Sequence, residues 1–164
     1  MKNIEKYQKL LDKGEVDALL LTSKHNRTYA AEYCVAEGVA VICRGESYYF
    51  TDFRYIEAAQ KNLPGFTVVM TDAEHPYTKL INDAVAAHTV KTMGFEDDTL
   101  IVEEYTLYNT KLNVVLHPYA AEINAPRASK EPWEIEYMKQ AQAITDRTFT
   151  ELLNVIHAGM TEKE

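Results

Sequence analysis

Basic residues are in the minority in this chain, 17 lysines and arginines against 25 aspartates and glutamates, a formal net charge of −8. That deficit argues against broad contact with nucleic acid or an anionic membrane, both of which reward a positive surface. No run of basic residues makes a local exception. Long apolar runs are missing too, and none approaches the roughly 20 residues that cross a bilayer. The opening stretch MKNIEKYQKLLDKG is charged throughout and lacks the apolar core of a signal peptide. Cysteine is scarce: Cys34 and Cys43 are the only two. They are not closely spaced, and read as buried reduced thiols of a cytoplasmic protein rather than as a disulfide framework. Cytoplasm is the default location.

Several catalytic signatures are also absent. None of the six glycines falls in G-x-G-x-x-G or phosphate-loop spacing, which leaves a nucleotide cradle unsupported. The three serines include no G-x-S-x-G elbow. The five histidines, at 25, 75, 88, 117 and 157, are scattered, and none stands at metal-ligand spacing from another histidine or a cysteine. Each reads as a surface or partly buried side chain.

What is present is a layered pattern. The 164 residues suit one domain, or one domain with a fragment of another. Ile4, Tyr7, Leu10 and Leu11 recur at helical spacing before Gly14. DALLLTS, 17–23, reads as a buried strand, and HNRTYAAEY, 25–33, as a short helix or turn. VAVIC, a turn at Arg44-Gly45-Glu46, and SYYFT form a β-hairpin. TDFRYIEAAQKNLPGF follows as a helix whose face carries Phe53, Ile56, Ala59 and Leu63, with Asp52 near its cap. FTVVM, 66–70, is a further buried strand, a helix spans about 76–88, TMGF at 92–95 is a strand, 103–112 a helix, and VVLHPY the last strand. Strands alternating with helices imply an α/β domain, and the hairpin makes its sheet mixed.

Two constellations carry possible chemistry. GFEDD, 94–98, clusters Glu96, Asp97 and Asp98 after a strand, either to hold a divalent cation or as a solvated loop beside a helix start. Glu103 and Glu104 suit the positive end of a helix dipole. Asp52-Phe53-Arg54-Tyr55 places an acid, an arginine and a tyrosine at a strand–helix corner. Arg54 either grips a substrate carboxylate or pairs with Asp52 to fix the corner. Nothing nearby supplies a nucleophile or base, and no catalytic set assembles.

The texture changes at INAPRASKEP, 123–132, where two prolines and an aperiodic charge pattern read as a linker. Beyond it, 133–157 is one long helical pattern, with Ile135, Met138, Ala141, Ile144, Thr148, Leu152 and Ile156 along a single stripe. That stripe needs a surface to cover it. The final GMTEKE contains Thr161 and Glu164 at capping-box spacing, the start signal of a further helix.

The order VDALLLTS, Tyr29 and Tyr33, the hairpin, TDFRYIEAA and MGFEDDTLIVEEY resembles the creatinase/prolidase N-terminal domain. RASKEPWEIEYMKQAQAITDRTF, through Arg127, Lys130, Glu134, Ile135, Met138, Ala141 and Ile144, resembles the junction to the metallopeptidase domain. The resemblance spans essentially the whole chain. It implies a three-layer α/β/α domain with a mixed sheet and a ribonuclease-H-like motif over 1–122, a linker at 123–132, and the first catalytic-domain helix and the start of the second at 133–164. Two divalent metal ions, manganese or cobalt, would be held by carboxylates and a histidine beyond Glu164, with no metal ligand or catalytic residue in this chain. The intact protein is then expected to be a cytoplasmic Xaa-Pro dipeptidase or aminopeptidase acting on short proline-containing peptides. Its N-terminal domain would partner its own catalytic domain, form a homodimer contact and cap a neighbouring active site, for which Tyr33, Asp52, Arg54 and Tyr55 are the candidates. Two alternatives share the fold: a stand-alone peptide- or protein-binding module, and the N-terminal domain of a creatine-type amidinohydrolase. The chain departs from the resemblance at Glu32, where relatives often carry glycine, and at Phe53, where glycine is also frequent. Glycine commonly serves a positive φ or a close backbone approach, so Glu32 bears on the shape of the loop.

Overall fold

In the computed structural model of the chain, residues 2–163 are described. The second half of the capping-box pair, Glu164, lies outside them. The chain divides into two compact units, Met1–Ala128 and Ser129–Glu164.

The first unit runs α1 (Asn3–Leu11), β1 (Ala18–Leu21), α2 (Lys24–Ala31), β2 (Val39–Cys43), β3 (Ser47–Thr51), α3 (Ile56–Asn62), β4 (Thr67–Met70), α4 (Tyr77–Ala87), β5 (Thr92–Phe95), α5 (Val102–Lys111), β6 (Val115–Pro118) and α6 (Ala120–Ala128). Six strands form one sheet in the order β4-β3-β2-β1-β5-β6. Pairing is antiparallel for β1–β2 and β2–β3 and parallel elsewhere, so the sheet is mixed.

The period-two rule explains the layering. In β1, Ala18 and Leu20 face one core, with Val41, Ile81, Val85, Met93 and Tyr108, while Leu19 and Leu21 face the other, with Tyr7, Leu11, Ile42, Tyr49 and Ile123. Helices α4 and α5 therefore cover one face, and α1, α2, α3 and α6 the other. The result is a three-layer α/β/α sandwich. All four β1 residues are buried, which is why the segment reads as a continuous apolar run. Each fully buried leucine contributes roughly 1.5–3 kcal/mol of transfer free energy.

Several expectations need correction. Residues 123–128 complete α6, despite Pro126 inside it. A mid-helix proline forfeits a backbone bond, but Ile123 is fully buried and the Tyr29 hydroxyl donates to the Pro126 carbonyl at 3.0 Å, so packing overrides the local signal. Strand β4 lies at the sheet edge with exposed ends rather than buried. Helix α3 begins at Ile56, after Tyr55 as N-cap, so Asp52 does not cap it and Phe53 stands outside it. Cys34 is exposed, not buried.

The second unit is dominated by α7 (Pro132–Val155), a 24-residue helix. Pro132 occupies the first turn, where its missing N–H has no intrahelical acceptor. The Glu134 carboxylate accepts the Glu131 N–H at 2.8 Å, closing one free donor of that end. The stripe residues Ile135, Met138, Ile144, Leu152 and Ile156 are all exposed. Among the described residues no helix is long and apolar enough to cross a membrane.

Burial separates the two thiols. Desolvation pushes the Cys43 thiol up to about 12, because a thiolate there would sit in the core. Titration with a disulfide reagent at neutral pH is expected to modify one cysteine in the native chain, Cys34, and both in denaturant. Prompt modification of Cys43 in the folded chain would contradict this packing.

Candidate functional site

The C-terminal ends of β1, β3, β4, β5 and β6 share one edge of the sheet with the start of β2, as the registers Leu21↔Ala40, Leu20↔Phe95, Phe95↔Pro118, Val39↔Phe50 and Thr51↔Met70 require. In open α/β sheets this edge receives ligands, at the point where the strand order reverses direction. Here the chain builds β2, β3 and β4 to one side of β1 and then β5 and β6 to the other. The switch point is the β1/β5 crevice.

That crevice is filled by Glu96. The residue follows β5 directly and is 1% exposed. Its Oε2 accepts the Thr22 and Ser23 backbone N–H groups, the latter at 2.8 Å, and its Oε1 accepts the Ser23 hydroxyl and, at 2.6 Å, the Asn26 amide. Ser23 is at the same time the N-cap of α2, its hydroxyl oxygen accepting the Asn26 N–H at 3.2 Å. Asn26 extends the network, donating to Asn124 Oδ1 at 3.0 Å and accepting the Tyr7 hydroxyl at 3.1 Å and an Arg127 N–H at 3.2 Å. One buried carboxylate thus ties β5, β1, α1, α2 and α6 together.

The GFEDD cluster is therefore neither a cation site nor a wholly solvated loop. Its acids divide their work. Glu96 turns inward, Asp97 accepts the Ala120 N–H at the start of α6 at 2.9 Å, and Asp98 accepts the Asn124 amide at 2.8 Å. Among the described residues no group of three or more His, Cys, Asp or Glu side chains could hold a metal ion. A dinuclear metal centre does not fit the donors of these described residues.

The second constellation lies at the β3–α3 corner of the same edge. Asp52 and Arg54 pair closely, with Nε 3.1 Å from both carboxylate oxygens and Nη2 reaching Oδ2, while the Arg54 N–H donates to Oδ1 at 2.9 Å. The guanidinium lies 5.1 Å from the Tyr55 ring centroid. Arg54 is thus engaged within the corner. Phe53, 76% exposed, projects from its tip. Tyr33 belongs to a different segment, the loop between α2 and β2, and is also exposed. Glu32, opening that loop, adopts φ 54°, in the left-handed region that glycine favours, and its carboxylate accepts the Asn3 N–H at 2.7 Å.

Sequence reasoning overlooked Ser23, Asn26, Arg27 and Asn124. Ser23 carried a legible signal, a serine between a strand and a helix. The two asparagines carried none, because their roles arise from contacts 70 and 98 residues distant.

The sequence model of the Creatinase/Prolidase N-terminal domain matches residues 3–129. The chain belongs to that family. Its sequence is 28% identical over 162 residues to the uncharacterized peptidase YqhT of Bacillus subtilis, covering 97% of this chain and 45% of that protein. Its structure superposes on an Xaa-Pro dipeptidase from Bacillus anthracis with a TM-score of 0.89 at 29% identity, covering 99% of this chain and 45% of that one. The N-terminal domain of the cytoplasmic peptidase PepQ from Mycobacterium tuberculosis matches 76% of this chain and 97% of its own, with a TM-score of 0.66 at 19% identity, a likeness of fold. The chain thus spans about half the length of the two longer relatives.

Two outcomes follow from this creatinase/prolidase edge. Glu96→Gln replaces an acceptor with an amide whose NH2 faces backbone donors. Urea denaturation is expected to show a loss of about 2–4 kcal/mol, and a loss within error of zero would refute the network's importance. The bonded Arg54 side chain holds the Asp52 carboxyl below the usual carboxylate range. A depressed folded pKa means that the pair's stabilisation is present above the ordinary aspartate value of about 3.9 and fades as pH falls through the lower folded value. An NMR titration should show Asp52 returning upward in Arg54→Gln; an unmoved titration would assign the shift to another cause.

Proposed function

We propose that this chain is the non-catalytic N-terminal portion of a cytoplasmic, metal-dependent Xaa-Pro peptidase. In that role it supplies a homodimer contact and caps a neighbouring active site. The observation that carries the reading is the match of residues 3–129 to the family, joined to coverage of only 45% of two relatives that are themselves described as a peptidase and an Xaa-Pro dipeptidase.

The two divalent ions would belong to polypeptide beyond Glu164; among the described residues no donor set fits them. When bound there, such ions would supply activated water for attack on the carbonyl preceding proline. The residues present would act by shape. Tyr33, Phe53, Arg54 and Tyr55 offer aromatic and cationic surface at the sheet edge, suited to limiting a site to short peptides. The exposed stripe of α7 offers an apolar ridge to the metal-bearing domain.

The test is cleavage of Xaa-Pro dipeptides, and of longer peptides beginning Xaa-Pro, with added manganese or cobalt. The product of the complete reading frame is expected to turn over, and residues 1–164 alone to be inactive. Clear turnover by residues 1–164 would overturn the non-catalytic reading. Inactivity of the complete product on both substrates would overturn the peptidase reading.

A further inference from the structure

Helix α2 carries an arginine that is almost wholly withdrawn from water. Arg27 is 5% exposed, yet its guanidinium is bonded to neutral oxygens. Nε donates to the Thr22 carbonyl at 3.1 Å, Nη1 to the Val35 carbonyl at 3.3 Å and to the Tyr49 hydroxyl, and Nη2 to the Ala36 carbonyl at 3.4 Å. It also lies 5.9 Å from the Tyr49 ring centroid. Burying a cation without an opposing charge is costly. An apolar residue of similar length would fill the space but leave three carbonyls without donors.

The carbonyls identify what is being held. Two belong to the loop 32–38, which contains neither helix nor strand. A third carbonyl of that loop, Glu37, accepts the hydroxyl of the fully buried Thr51 at 2.9 Å. Val35 is buried beneath the loop, and Gly38, at φ 144°, leaves no room for a side chain because a Cβ would stand 2.5 Å from the Phe50 carbonyl oxygen. Residues 35–38 are therefore fixed by buried donors and close packing. Tyr33 and Cys34 stand exposed between this anchor and the left-handed Glu32.

We propose that Arg27 is a positioning residue whose planar fork clasps the 32–38 loop, so that Tyr33 forms a fixed wall of the active-site rim rather than a moving lid. The assignment of a rim rests on the capping role proposed above; the clasp does not. A planar fork of fixed donors suits diverging carbonyls, and lysine, a single point charge, does not reproduce it.

The clasp is tested on residues 1–164 by the rate of chymotryptic cleavage at the Tyr33–Cys34 bond, which reports local opening. Arg27→Gln is expected to accelerate cleavage about tenfold, Arg27→Lys to give no rescue, and Tyr49→Phe, which deletes one acceptor and keeps the ring, to accelerate it a few-fold. If the arginine variants fail to fold, Tyr49→Phe alone decides. An unchanged rate in a folded variant overturns the clasp. In the complete polypeptide, Arg27→Gln is expected to raise KM for Xaa-Pro dipeptides on the order of tenfold with kcat nearly unmoved, the pattern of lost binding rather than lost chemistry. A loosened loop with unchanged KM would leave the clasp standing and overturn the rim. Absence of any cleavage by the wild-type polypeptide would count against the peptidase reading while the proteolysis result stood.

Discussion

A carboxylate with 1% exposure must find donors or be neutralised, and Glu96 finds them on β1 and α2. This requirement organises the functional edge. It fixes the Thr22–Ser23 turn, and hence where α2 begins. The start of α2 sets the direction of Asn26 toward Asn124 and Arg127, and of Arg27 toward the 32–38 loop. The same carboxylate sits where the strand order reverses, the position that α/β folds commonly leave open to a ligand. Internal bonds take up that crevice here.

The economy of polar groups along the edge follows a consistent logic. Asp97 and Asp98 are bonded at α6, and Asp52 is paired with Arg54. A proton-transfer or metal site needs groups held ready for something not yet present. These groups are committed to one another. The rings that the edge offers outward are Phe53 and Tyr33, beside the paired guanidinium of Arg54. Such surface suits contact and exclusion, in keeping with the proposed division of labour between a shaping domain and a separate reactive one.

The architecture was legible wherever periodicity reported burial. The continuous run of β1, the hairpin around Gly45, and the apolar faces of α1 and α4 all translate directly into layers. Legibility failed where tertiary contact outvoted local preference. Pro126 suggested a linker because nothing nearby revealed that Ile123 would be buried or that Tyr29 would bond to the proline carbonyl. FTVVM read as buried because composition does not distinguish an edge strand from a central one. The Glu-Asp-Asp run read as one feature, although its three side chains point to three different tasks. The clustering of Asp52, Arg54 and Tyr55 at one corner was legible because they are adjacent in the chain. The Glu96–Asn26–Asn124 network was not, since its members are dispersed in the sequence.

Glu32 shows how a residue with a side chain is accommodated in the left-handed region. Glycine enters the left-handed region freely, whereas a side-chain-bearing residue is destabilised there by roughly 1–2 kcal/mol. The loop nevertheless keeps the conformation that glycine would allow, at φ 54°. Its compensation lies outside the loop. Helix α1 has no side-chain cap from its own N-cap residue, Lys2, and the Glu32 carboxylate takes the Asn3 N–H instead, at the end of the helix where negative charge is favoured. Backbone strain at the end of one helix is thus offset by capping the start of another. A left-handed position can thus carry a side chain when a neighbouring helix supplies the offsetting bond.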